Sequence, residues 1–207
     1  MTSPITQALD PYSTKAKDSG THAPHEKVKA LHDIVKKVKT GMLTTRSSDG
    51  SLHARAMAPA GPFSPHQVCL VFIANNASHK FDEIQNDAHV NVSFYDEHST
   101  SWASYSGIAR VSQDKAEIEK HWSHLTSAWF GDLGDGVHTG DQTDPRVSII
   151  EVIPDSIRYW VATGSKVGRA ANIATSAITG KAAAPGQLST ITKEEIQLLE
   201  NLDGLNH

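Results

Sequence analysis

Apolar residues first recur at a fixed spacing near His25. Val28, Leu31, Ile34, Val35 and Val38 fall at helical intervals with lysines between them, which predicts an amphipathic helix. Gly41 stands where a left-handed C-cap would end it. The period then drops to two. Residues 42–46 favour a strand, Asp49-Gly50 is a two-residue hairpin signal, and 52–58 reads as the return strand, stopped by Pro59, Gly61 and Pro62. Residues 68–73 are almost continuously apolar, as in a strand covered on both faces. Beyond Asn75 and Asn76, Ser78 is placed to cap a short helix carrying Phe81 and Ile84. Alternation at Val90, Val92 and Phe94 predicts a strand over 89–95, and 102–111 reads as another around Gly107. Asp114 can cap a longer helix from Lys115 to about Trp129, with Ile118, Trp122 and Leu125 on one stripe. Residues 131–144, rich in Gly and Asp, read as a loop. Segments 147–153 and 156–162 read as two strand pieces bent at Pro154.

The two ends lack this patterning. Residues 1–24 are rich in Ser, Thr, Pro and Lys without an apolar period and read as a polar tail. After Ala162, Gly, Ala, Ser and Lys alternate without a period as far as Thr192. There Thr192-Lys193-Glu194-Glu195 is a capping box opening a short helix through Leu199. The chain thus divides into a tail (1–24), a folded domain (25–162) and a C-terminal extension with a short helix (163–207). About six strands joined mainly by hairpins, with two or three helices, define a mainly β, α+β class. The architecture expected is a six-stranded antiparallel barrel with flanking helices, not a doubly wound sheet.

Composition narrows the function. A chain of 207 residues is one domain with appendages and needs no metal or disulfide staple. A hydrophobic fraction of 38% with a mean hydropathy of −0.37 fits polar ends on a packed core. A net charge of −4 removes the electrostatic case for nucleic acid. The lone Cys69 excludes a disulfide framework, suits a reducing, cytoplasmic setting and reads as an inert core residue of its strand. No stretch approaches the roughly 18 apolar residues of a membrane span, and the N-terminus carries no apolar run of a signal peptide. His121 and His124 sit at i, i+3 without a third ligand at useful spacing, so no metal is expected. Asp132, Asp135, Asp141 and Asp144 lack the regular alternation and closing Glu of a calcium loop and read as solvated. Gly131 to Gly136 lacks the flanking strand and helix of a dinucleotide fingerprint.

The chemistry concentrates in two segments. Arg55, on a strand, can present a planar fork that grips a phosphate in bidentate fashion. Ser78 and Lys80 lie at the start of the expected short helix, where backbone N–H groups favour an anion. Guanidinium, ammonium and hydroxyl together would form a phosphate cradle. An arginine on an edge strand and a lysine on a helix equally suit a solvated surface, so pattern alone leaves both readings open.

The order Arg55…Met57, Val71-Phe72-Ile73, Ser78-His79-Lys80, Gly107-x-Ala109-Arg110 and Arg158-Tyr159-Trp160 resembles the pyridoxamine 5′-phosphate oxidase-like FMN-binding split barrels. Lys80-Phe81-Asp82-Glu83-Ile84 after Ser78-His79, Val90-Asn91-Val92-Ser93-Phe94, Ala128-Trp129-Phe130 and Tyr159-Trp160 are similar to the general-stress-protein branch, which includes the fungal blue-light-induced proteins. The likeness covers about residues 25–162. It implies an FMN-binding split barrel acting as a homodimer, with FMN at the subunit interface. Arg55 and Lys80 would bind the phosphate with Ser78 and His79 beside them, backbone groups of Met57, Phe72, Ile73 and Ala74 would run along the ring system, and Ala56 is a further cofactor-binding position. Trp160 would approach the flavin from the second subunit, and Trp129 would line the ring pocket.

The likeness also has gaps. Ala60 replaces a second phosphate-binding lysine, and Trp102, another cofactor-binding position, replaces a glutamine. Trp160 is followed by Val161-Ala162-Thr163-Gly164, with no arginine before Arg169 to hold a substrate phosphate. The resemblance therefore implies FMN binding without efficient oxidation of pyridoxamine 5′-phosphate, and it names no catalytic acid or base. It leaves a flavin-dependent oxidoreductase with a nicotinamide donor beside a non-catalytic flavin holder. A haem-binding split barrel is a further alternative, although no histidine stands out as an axial ligand.

Overall fold

The computed structural model describes residues 9–17, 22–61 and 63–204. Pro62 of the expected break and residues 1–8 and 18–21 of the expected tail lie outside these. The helices are α1 (Pro11–Ala16), α2 (Pro24–Val38), α3 (Lys80–Asn86), α4 (Lys115–His121), α5 (Lys166–Thr179) and α6 (Lys193–Gly204). The strands are β1 (Gly41–Arg46), β2 (Leu52–Met57), β3 (Leu70–Asn75), β4 (His89–Tyr95), β5 (Trp102–Ser112), β6 (Val147–Ala162) and β7 (Gly186–Ile191).

Six strands form one curled antiparallel sheet in the order β2-β1-β4-β5-β6-β3, and β7 joins it on β6. The register aligns Leu43, Val92, Tyr105, Ile157 and Ile191 in a single row across five strands. Every side chain in that row is at most 1% exposed. The row faces inward, and α2 closes over it with Val28 and Leu31 while α6 adds Ile196 and Leu199. A smaller cluster, Val71, Ile118, Phe130, Val147 and Ile149, forms where α4 covers the other face of β3 and β6.

The long β6 is the axis of this arrangement. Its first half pairs β3 through Val147–Val152 and its second half pairs β7 through Ile157–Ala162, so β3 and β7 lie end to end along one flank. Pro154, which has no N–H, falls between them, and the register with β5 shifts at Ser106/Gly107. Residues 147–162 are therefore one bent strand instead of two pieces. The bend brings backbone so close that a Cβ on Gly107 would lie 2.0 Å from the Ile153 carbonyl oxygen.

Other expectations need correction. Gly41 is not a C-cap: Lys39 takes the left-handed conformation (φ 65°) and donates its N–H to the Val35 carbonyl, while Gly41 opens β1. A Cβ there would meet the Phe94 ring at 2.8 Å, which explains the glycine. The helix expected from Lys115 to Trp129 stops at His121. His121 Nδ1 pairs with the Gly61 carbonyl, the Ser123 and Thr126 hydroxyls bond each other, and only a 3₁₀ turn (Thr126–Trp129) follows. The apolar run beginning at Val68 becomes a strand only at Leu70, and half-buried Cys69 is outside the core with its sulfur 4.0 Å from Glu200 Oε1. Asp144 is not solvated but buried, ion-paired with Arg146 at 2.6 Å.

Both ends carry more structure than their composition indicated. In the supposed tail, Asp10 caps α1, Ala16 is buried, and Tyr12 stacks on Trp160 with ring centroids 5.6 Å apart. In the supposedly aperiodic extension, the Ser165 hydroxyl caps α5, Gly180 ends it at φ 66°, and β7 fills the open flank of β6. The Thr192 capping box forms as expected, with the Thr192 N–H donating to Glu195 Oε2 at 2.9 Å and the Glu195 N–H to the Thr192 hydroxyl at 3.4 Å.

The bend in β6 yields a stability prediction. Gly107→Ala forces backbone against backbone and should cost about 3 kcal/mol or more. Gly50→Ala, at φ 88° but in open space, should cost only about 1 kcal/mol. Thermal denaturation should therefore show a fall of about 6 °C or more for the first and about 2–4 °C for the second.

Candidate functional site

The hairpin of β1 and β2 sets the site's geometry. His53 pairs with Thr45 and Arg55 with Leu43, so both side chains share the face that carries the inward row. On β2 that row ends in Arg55, an arginine at the edge of an apolar line. Helix α3 packs on β1 and buries Glu83 and Ile84.

Glu83 is the organising group. Its Oε2 accepts from Arg55 Nη2 at 2.7 Å and also from the Thr45 hydroxyl, and its Oε1 pairs with His53 Nδ1 at 2.5 Å. Burial alone would raise this carboxyl. Hydrogen bonds from Thr45, His53 and Arg55, with the charge of Arg55, outweigh burial and pull it down to about 2. Arg55 also donates through Nη1 to the Thr45 hydroxyl at 2.5 Å and to the Leu43 carbonyl at 3.3 Å. It thus spends three of its five N–H donors inside the chain.

Lys80 lies one helical turn before Glu83. Its ammonium donates to the Ser78 hydroxyl, which in turn donates to the Asn75 carbonyl at 2.7 Å. Partial burial pushes the ammonium's pKa down, and the positive charge of Arg55 adds to this against a smaller opposing effect of Glu83. Ser78 does not cap the helix as expected; His79 occupies that position without a side-chain cap bond, because the Ser78 hydroxyl is engaged with Asn75 and Lys80.

The structure thus bonds Arg55 to Glu83 and Lys80 to Ser78, with the charges of Arg55 and Glu83 both felt at Lys80. His79 projects into solvent, 3.7 Å from Asp82. Ala56 is exposed and Met57 is partly buried against the core. The Phe72 side chain is fully buried in the core, Ala74 is buried, and Ile73 packs on the smaller cluster. Trp129 is 85% exposed on the 3₁₀ turn. Trp160 is 5% exposed, beneath Tyr12 and against Gly186, and its β5 partner is Trp102. Ile157 shares the Arg55 row, so Trp160, three residues on, points to the opposite face. In the sheet order Trp160 lies four strands from Arg55.

Sequence reasoning missed Glu83, His53 and Thr45. Period-two spacing of His53 with Arg55 and the i, i+3 spacing of Lys80 with Glu83 were available signals. Neither discloses that α3 turns Glu83 toward β2. Beside the carboxylate, a cleft of about 330 Å³ opens between hairpin and helix, lined by Ser47, Ser48, His53, His79, Asp82 and Glu83. Among the described residues, no group of three or more His, Cys, Asp or Glu side chains is arranged to hold a metal ion.

A curled six-stranded antiparallel sheet with flanking helices is a split barrel. The sequence model of the family described as "Pyridoxamine 5'-phosphate oxidase like" matches residues 26–184. The protein bli-3 of Neurospora crassa is 39% identical over 190 residues, covering 91% of this chain and 90% of that one. In structure, the general stress protein 26 of Bacillus anthracis superposes with a TM-score of 0.54 at 21% identity, over 65% of this chain and 93% of its own. A protein from Clostridium acetobutylicum related to general stress protein 26 gives a TM-score of 0.57 at 13% identity, over 83% and 98%. The chain belongs to the pyridoxamine 5′-phosphate oxidase-like family.

The carboxylate predicts a specific acid response. Glu83 ionises more readily in the folded chain than an unfolded glutamate near 4.5. Its contribution is complete above about pH 4.5 and is lost as pH falls toward 2. Glu83→Gln should be less stable than wild type at pH 6, and the gap should close between pH 4.5 and 2, as read from urea midpoints at each pH.

Proposed function

We propose that this chain binds FMN, with Arg55 and Lys80 holding the phosphate and Ser78 beside them. The observation that carries the reading is that a guanidinium bonded to a buried carboxylate and an ammonium from the helix bearing that carboxylate lie close enough for the guanidinium's charge to add to burial in depressing the ammonium. One negative charge does not balance two positive ones, and a phosphate would relieve the excess. Two donors of Arg55 beyond those used in the chain suit such an anion.

The protein acts, on this proposal, as a homodimer. One chain carries Arg55 and Trp160 four strands apart in the sheet order and on opposite faces, so a flavin in contact with both would draw them from two copies. Trp129, exposed on its turn, is free to reach a ring system. Bound FMN would supply hydride and single-electron chemistry. The chain's own groups would hold the phosphate and orient the cofactor. A flavin-dependent oxidoreductase of the cytoplasm, drawing on NADPH or NADH, is the activity proposed, in keeping with relatives named for general stress.

Flavin titration tests the site. Lys80→Ala should weaken FMN binding about 10- to 150-fold, the loss of one charge-assisted contact of roughly 1.5–3 kcal/mol, while riboflavin binding moves less than threefold. Arg55→Ala, placed in a Glu83→Gln background so that no carboxylate is stranded, should behave likewise relative to that background. Equal losses for both ligands would take these residues off the phosphate. Activity is read separately. Anaerobic NADPH or NADH should bleach the absorbance of bound flavin, and air should restore it; flavin that stays oxidised would make the protein a holder of the cofactor.

A further inference from the structure

We propose that His53 is the third cationic group of the phosphate site, taking up a proton as a phosphate monoester dianion binds, with Glu83 as the positioning residue that aims it. The inference rests on the flavin reading above and extends it to residues to which neither the sequence motifs nor the resemblance assigned a role.

The charges on the two bonded cations and the buried carboxylate leave room for such a group. Arg55 and Lys80 contribute two positive charges, and buried Glu83 cancels one. A dianion would then leave the partly buried cluster one charge short of neutral. An imidazolium at position 53 restores the balance, and imidazole is the side chain whose charge changes near neutral pH.

Geometry singles out the same residue. The two oxygens of Glu83 are divided, Oε2 toward Arg55 and Oε1 toward His53. The bond to Oε1 places the hydrogen on Nδ1 and leaves Nε2 for a ligand, the arrangement by which carboxylates orient functional imidazoles. Along β2, His53 and Arg55 share a face two residues apart, about 7 Å between Cα atoms. His53 is half exposed at the edge of the 330 Å³ cleft, so the ring is both fixed and reachable.

The neighbours can be stated in full. Arg55 flanks His53 on β2 and the Thr45 hydroxyl faces it from β1. Asp49 in the hairpin turn feels its charge. From α3 come Glu83 and Lys80, with Asp82 and the preceding His79 across the cleft. Of these, His79 is the other imidazole, and it is solvent-exposed, 3.7 Å from Asp82.

Isothermal titration calorimetry of the full chain at pH 7.5, in buffers of differing ionisation enthalpy, reads the proton directly. Wild type should take up several tenths of a proton to one proton per FMN and none per riboflavin. The phosphate cannot mimic this, because its own second ionisation near 6 makes it release protons to a cationic site. His53→Asn keeps a donor toward Glu83 but cannot titrate. It should abolish the uptake, weaken FMN at least tenfold at pH 6.5 and leave riboflavin within twofold, whereas His79→Asn should retain the uptake. Unchanged uptake and FMN affinity in His53→Asn, or loss of uptake in His79→Asn instead, would overturn the role of His53 with the flavin reading intact. A wild type that binds neither flavin would bring down that reading and this one with it.

Discussion

Burying one carboxylate fixes the rest of the site. Glu83 sits beneath α3 against the hairpin, where an unpaired charge would cost several kcal/mol. It is tolerated because Arg55, Thr45 and His53 all donate to it. The requirement runs both ways: Arg55 lies at the end of an otherwise apolar row and without Glu83 would face the core edge unpaired. The pair thereby locks a helix to a hairpin some 28 positions earlier in sequence. Lys80 and Ser78, on the same helix and its approach, inherit a fixed position relative to Arg55. The groups proposed to hold a phosphate are assembled as a by-product of satisfying one buried charge.

The second constraint is the bend in β6. A proline with no N–H and a glycine with no Cβ meet across β5 and β6, which lets one long strand turn and offer its flank to β3 and then to β7. Because β7 comes from the C-terminal segment, the flank of β6 beyond β3 is filled by residues with little apolar content of their own. The same end of β6 carries Trp160, covered by α1 from the opposite terminus of the chain. Two segments that look like appendages are thus parts of one wall.

What the sequence makes legible follows from where the driving force is written. Strands β1 to β6 and helix α2 announce themselves because their apolar residues repeat at the period of the element they form. The sheet class and the place of Arg55 and Lys80 follow from those strands. Residues 163–191 do not, because α5 is largely Ala, Ser and Thr with no buried side chain, and β7 owes its form to pairing with β6. Local hydrogen bonds also escape the pattern: Asp144 reads as one more loop acid until Arg146 is seen closing on it. Glu83 is illegible for a deeper reason. Its sequence neighbours, Asp82 and Gln85, are equally polar, and only the docking angle of α3 decides which is buried.

The two faces of the sheet divide the work. The inward face builds the core and ends in the Arg55–Glu83 cluster, so its polar chemistry is confined to one edge. The outward face is covered unevenly. At the β6 and β7 end α1 lies over Trp160 and α4 covers the smaller cluster, but toward β1 and β2 Met42, Leu52 and Tyr95 remain substantially exposed. A monomer leaves those side chains in water with Trp129 and Leu125 on their own loop. The proposed homodimer gives both facts one cause: a second copy would cover apolar surface that this chain leaves exposed, and it would supply the aromatic face that the arginine's own chain holds four strands away on the opposite face.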